Sequence, residues 1–111
     1  MRTVALNHCP IPSDKTRAKL LRHLLGRMLE LVEDGLSVDV PADPFDFHAP
    51  LVSVSFSGRD NKEMARRLKE EYHILVSCTD GALLLSPAPD VTFEDIDYVQ
   101  GAVYQMLLEQ P

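Results

Sequence analysis

The chain has 111 residues, 45% of them apolar and 25% charged, the balance of one globular domain spanning 1–111. Its net charge of −6 argues against a general nucleic-acid or anionic-membrane binder, because both favour basic surfaces. No apolar run reaches the ~20 residues that span a bilayer, and the opening MRTVALNHCPIPSDK has too short an apolar stretch for a secretory signal.

Leu21, Leu25, Met28 and Val32 recur at three- and four-residue steps. With Leu20, Leu24 and Leu31 widening the stripe, the spacing predicts a helix over Ser13–Asp34. Ser13 or Asp14 can cap its start, and Gly35 suits a left-handed residue just past its end. Lys15, Arg17, Lys19, Arg22 and Arg27 cover the other side, read as a solvated face rather than a site for an anionic partner. Leu36–Val40 alternates with period two and is a short strand. Pro41–Pro50 carries three prolines, which cannot donate to a sheet ladder, so it is a loop.

In Leu51–Ser57 the residues Val52, Val54 and Phe56 face one way and Ser53, Ser55 and Ser57 the other, giving a strand with one buried and one wet side. Gly58 ends it. Asp60-Asn61-Lys62-Glu63 reads as a capping box for a helix over Asn61–Glu71, with Met64, Ala65, Leu68 and Tyr72 as its apolar stripe. Ile74–Val76 is a short strand, Asp80-Gly81 a hairpin turn and Ala82–Leu85 the returning strand, whose leucines on both faces predict burial on both sides. Thr92 with Asp95 caps the last helix, which carries Phe93, Ile96, Val99, Val103, Met106 and Leu107 on one face and runs to Glu109. No basic residue follows Lys69, so attraction between the basic first helix and the acidic last one is expected, within one chain or between two.

The order α-β-β-α-β-β-α, with an extra strand at Thr3–Leu6 as an option, predicts an α+β fold. Three helices would pack on a mostly antiparallel sheet of about four strands as a two-layer sandwich.

Chemistry-bearing residues are sparse. The histidines His8, His23, His48 and His73 and the cysteines Cys9 and Cys78 show none of the short paired spacings of zinc sites, so no metal is expected. Two cysteines without a CxxC pair suit reduced thiols in a cytoplasmic protein. Cys78 as a nucleophile needs a base and a lowered pKa; His73, an odd number of residues earlier on the same strand, would face the opposite way. No glycine-rich phosphate loop occurs, and Glu94, Asp95 and Asp97 are accounted for by capping. No catalytic residue is assigned.

In Phe47–Leu107 an ordered series of motifs stands out. A strand ends in Gly58, then a helix ends in Leu68-Lys69-Glu70. Next come the strand Ile74–Ser77, a glycine turn, an apolar strand closing in Ser86-Pro87, and Thr92-x-Glu94-Asp95-Ile96-Asp97 opening the final helix. This series resembles the C-terminal small domain of fold-type-I pyridoxal-phosphate-dependent enzymes. The likeness is greatest to the class V aminotransferase and cysteine desulfurase group, with some to class III aminotransferases; Ser13–Val40 fits the same domain.

The resemblance implies a lobe that helps close an active site and lies on the substrate side through the strand marked by Leu84, Ser86 and Pro87. It would not be catalytic as this chain alone. Its cofactor, pyridoxal phosphate, would belong to a large-domain partner that carries the Schiff-base lysine. Two features depart from the pattern. Lys15, Lys19, Lys62 and Lys69 sit on amphipathic helices, where an ammonium is exposed. Ala82-Leu83-Leu84-Leu85 also lacks the arginine with which relatives often grip a substrate carboxylate. The alternative is a non-enzymatic module that self-associates as a homodimer or binds a small ligand or protein through a free sheet edge. Neither reading involves nucleic acid or membrane.

Overall fold

The computed structural model describes residues 3–8, 15–39 and 51–109. The expected caps Ser13 and Asp14, the loop 41–50 with His48, Val40 and Cys9 lie outside them, as do the side chains of Lys15 and Arg17. Within the described residues three helices cover one face of a four-stranded antiparallel sheet. This is the expected two-layer α+β sandwich.

Helix α1 spans Lys15–Leu29, shorter than its periodicity suggests. After Leu29 the backbone tightens into a 3-10 turn at Val32–Asp34 and stops at Gly35, whose φ of 113° lies in the left-handed region. There an L side chain is strained and glycine is not. Tightening breaks the 3.6-residue period: Leu31 turns inward, whereas Val32, expected in the buried stripe, is 45% exposed. Leu20, Leu21, Leu24, Leu25 and Met28 are buried as the stripe requires.

The optional N-terminal strand is present as β1 (Val4–Ala5). Strands β2 (Leu36–Val38) and β3 (Val52–Phe56) follow α1, and helix α2 spans Asn61–Tyr72. The run expected as one strand at Ile74–Val76 is divided. Helix α2 ends at His73, a left-handed residue (φ 58°) that donates its backbone N–H to Leu68 O. Strand β4 (Ile74–Leu75) then pairs in parallel with β1. The chain leaves that pairing at Val76, and β5 (Ser77–Thr79) joins the main sheet instead. His73 is therefore a helix cap and not a strand residue. Asp80 (φ 49°) and Gly81 (φ 78°) both take the positive φ of a type I′ turn and lead into β6 (Ala82–Leu85).

The main sheet has the order β2-β3-β6-β5. Its register places Val38, Val54, Leu83 and Cys78 in one row, with Leu36 opposite Phe56 and Val52 opposite Leu85. Directly paired residues share a face, so these rows form the side that packs on the helices. The β1–β4 pair is tied to the main sheet through Ser86, which donates its N–H to Leu6 O (2.7 Å) and accepts from His8 N (3.2 Å).

Helix α3 (Phe93–Leu108) opens with a complete capping box. Asp95 N donates to Thr92 Oγ1 and Thr92 N to Asp95 Oδ2, at 3.2 and 2.9 Å. Ile96, Val99, Ala102, Val103 and Met106 are buried on it. Phe93, expected on that face, is 48% exposed, because as the first helical residue it turns toward the flank of α1. The box expected at Asp60 forms by half: Asp60 Oδ1 accepts from Lys62 N (3.0 Å), whereas Glu63 pairs with Arg66.

Two glycines separate conformational strain from steric room. An added Cβ at Gly81 or at Gly101 meets no atom within 4 Å, but Gly81 has positive φ and Gly101 lies inside α3. Gly81→Ala is expected to destabilise the fold by about 1–2 kcal/mol, and Gly101→Ala to stabilise it by about 0.5–1 kcal/mol. Urea unfolding of both variants checks the opposite signs.

Candidate functional site: the open face of the sheet

Because strand side chains alternate, burying one set on the helices leaves the other set outward. Ser37 pairs with Ser55, Ser53 with Leu84, Leu84 with Ser77, and Ala82 with Thr79. All of these residues are half-buried or exposed. Ser37 Oγ and Ser57 Oγ are hydrogen-bonded at 3.1 Å. A shallow cleft of about 230 Å³ crosses β2, β3 and β6 over Ser37, Ser53, Ser55 and Ala82. Leu84 sits on this face between two serines, an apolar side chain in a hydroxyl surround.

The wet serine side of β3 was readable from its alternation. The open side of β6 was not: Leu83 and Leu85 are buried, but Ala82 and Leu84 are only half-buried, since the helices cover one layer. Of the three residues implied by resemblance, Leu84 lies on the open face and Ser86 is 3% exposed, held between β1 and the end of β6. Pro87 continues that segment. The backbone bonds of Ser86 to Leu6 and His8 fix how the strand leaves the sheet. Cys78 carries a free thiol, half-buried opposite Leu83 on the helix-covered side. Among the described residues no group of three or more His, Cys, Asp or Glu converges on a common point.

Polar side chains lock the covered side, and most of these contacts left no mark in the sequence. Asn61 Oδ1 accepts from Phe56 N at 2.7 Å and its amide reaches Arg59 O at 3.3 Å, which fixes the turn from β3 into α2. Arg59 Nη1 donates to Met106 O at 2.6 Å, and its Nη2 donates to Leu107 O and Glu109 O. A cation thus meets the negative end of α3, in a helix with no basic residue in its last turn.

The expected attraction between basic α1 and acidic α3 is realised within the chain. Asp97 Oδ1 lies 2.8 Å from His23 Nε2 and 3.2 Å from Arg27 Nε. Arg27 also donates to Glu30 Oε2 at 3.0 Å and to Gln100 Oε1 at 3.4 Å. The Phe93 ring meets His23 edge-on, with centroids 5.1 Å apart. Contacts advance together along both helices, so α1 and α3 run in the same direction where they touch. Arg27, expected on the solvated face, is instead part of this junction.

On α2, Arg66 bridges Glu63 and Glu70. Arg67 pairs with Glu71 at 2.7 Å and with Glu109, at the end of α3, at 2.6 Å. The hydrogen bond from Arg66 holds the Glu63 carboxyl below its ordinary pKa, and that from Arg67 does the same for Glu71. Burial, with Glu109 and Glu71 close by, pushes the Tyr72 phenol upward.

No protein-family model matches the chain, and neither does any curated protein. Among the described residues no helix is long and apolar enough to cross a membrane.

Glu63 and Glu71 have lowered folded-state pKa values. Their stabilisation is therefore complete above the ordinary glutamate value of about 4.3 and is lost as pH falls through the lowered values. Arg67→Met, which removes the partner of Glu71, is expected to flatten the loss of stability on acidification. Urea midpoints measured from about pH 6 to pH 3 check this; an unchanged slope would contradict it.

Proposed function

We propose that this chain is a non-catalytic small lobe of the fold-type-I pyridoxal-phosphate kind, which docks through its open sheet face against a larger lobe that holds the cofactor. The observation that carries this reading is the one-sided sheet. Four antiparallel strands in the order β2-β3-β6-β5 are covered by helices on one side, and present Leu84 amid Ser37, Ser53, Ser55 and Ser77 on the other. The ordered motifs from Leu51 to Asp97 supply the direction of the analogy, which is one of fold and not of site chemistry.

Among the described residues none fits the cofactor itself. Lys19, Lys62 and Lys69 are exposed on helices, whereas a Schiff-base lysine needs a pocket that lowers its pKa. Strand β6 carries no cation to hold a substrate carboxylate. The lobe's contribution is thus shape: it would exclude water from a neighbouring site and set the substrate side with Leu84 of β6, while the buried Ser86-Pro87 segment holds that strand in place.

A second reading keeps the docking face and changes the occupant, making the chain a stand-alone module that self-associates. The absence, among the described residues, of a pocketed lysine and of an arginine on β6 favours it.

The test mixes the chain with pyridoxal phosphate, alone and with a class V aminotransferase large domain lacking its own small domain. The expected result is no imine absorbance from the chain alone. A complex with the large domain should form on gel filtration and be weakened at least tenfold by Leu84→Asp, whose circular dichroism should match the parent. No complex, or one indifferent to Leu84→Asp, would overturn the proposal. A dimer of the chain alone that Leu84→Asp disrupts would establish the second reading instead.

A further inference from the structure

Away from the open sheet face, a cleft of about 360 Å³ lies between α2 and the β1–β4 pair, lined by Asn7, Ala65, Arg66, Lys69, Leu75 and Val76. Its position follows from the backbone. Strands β1 and β4 are parallel and paired only at Val4–Ile74 and Ala5–Leu75. Past those residues the ladder ends: Asn7 bridges Ser86, and the chain after β4 passes through Val76 into β5, which pairs with β6. The cleft lies beyond the carboxyl ends of this short parallel pair, under the flank of α2. Leu75, Val76 and Ala65 give this crevice an apolar floor, and its volume falls in the range of small-molecule sites.

The rim is cationic. Arg66 is already committed to Glu63 and Glu70. Lys69 has Ala65, Arg66, Tyr72 and His73 at its three- and four-residue helical neighbours, and the acids that follow it, Glu70 and Glu71, are held by Arg66 and Arg67. The elements facing it across the cleft, β1 with Asn7 and β4 with Leu75 and Val76, also present no acid among the lining residues. Among the described residues the cleft offers one ammonium outside any ion pair and one carboxamide, which suit a single negative charge. A phosphate dianion would call for several converging donors or a backbone nest, and no such nest lines this cleft.

We propose that this cleft binds a small monocarboxylate with an apolar body, its carboxylate on Lys69 and Asn7 and its hydrocarbon on Leu75, Val76 and Ala65. The site is independent of the docking face, and neither stands or falls with the other.

Amide NMR titrations of the whole chain with hexanoate, hexanol and inorganic phosphate test it. Hexanoate is expected to shift the Asn7, Ala65, Leu75 and Val76 signals saturably, hexanol at least tenfold more weakly, and phosphate not at all. Lys69→Gln, a change at an exposed helix position, should weaken hexanoate about tenfold and leave hexanol unchanged. Absence of saturable shifts with hexanoate would overturn the proposal. So would phosphate binding as well as hexanoate, or hexanoate binding that Lys69→Gln leaves intact.

Discussion

The pairing of β3 with β6 is the constraint on which the rest of the structure depends. It joins Val52 to Leu85 and Val54 to Leu83 across about thirty residues of intervening chain and forms the centre of the sheet. The flanking strands β2 and β5 extend what these two begin. Because side chains in directly paired positions share a face, this one register decides which residues are buried everywhere else. A slip of β6 by one residue against β3 would turn Leu83 and Leu85 to the open face and bury Leu84. The apolar stripes of α1, α2 and α3 need the valine–leucine face to complete a core that also contains Phe56, Ile96 and Met106. A one-sided sheet and an uncovered serine face are thus two consequences of one pairing.

Polar contacts fix the helices over that sheet without adding to the core. Asp97 holds His23 and Arg27 at the α1–α3 junction, Arg59 closes the carboxyl end of α3, and Arg67 ties the ends of α2 and α3 together through Glu109. Exposed ion pairs contribute little singly, so their main effect is on orientation. Each joins segments far apart in sequence and selects one helix arrangement among those that would bury the same apolar area.

The legible part of the fold was the part with strong periodicity or strong local turn chemistry. The alternation of Leu51–Ser57, the hairpin signal at Asp80-Gly81 and the Thr92 cap with Asp95 each specify a conformation within a few residues, and each is present in the structure. The two-layer arrangement followed from element order. The misjudged details depend on long-range geometry. Nothing local says that the run from Ile74 onward is shared between two sheets, since the partner of Ile74 is Val4. The leucines of β6 signalled burial on both faces, but among the described residues only one helical layer covers them. Val32 and Phe93 fitted their helical stripes and yet face outward, one because α1 tightens before reaching it and the other because it lies at the first position of α3. Asn61 and Arg59 gave no signal, because a side chain that binds a distant carbonyl leaves no periodic trace.

The central claim, that the sheet is closed on one side and open on the other, is tested most directly by thiol labelling. Cysteines are placed at Val54, Ser55, Leu83 and Leu84 in a chain whose Cys9 and Cys78 are replaced by serine. Ser55→Cys and Leu84→Cys are expected to react with a thiol reagent in the folded chain, while Val54→Cys and Leu83→Cys stay protected until the fold opens. Protection of Leu84→Cys in the isolated monomer would contradict the account, because another layer would then cover the face described as open.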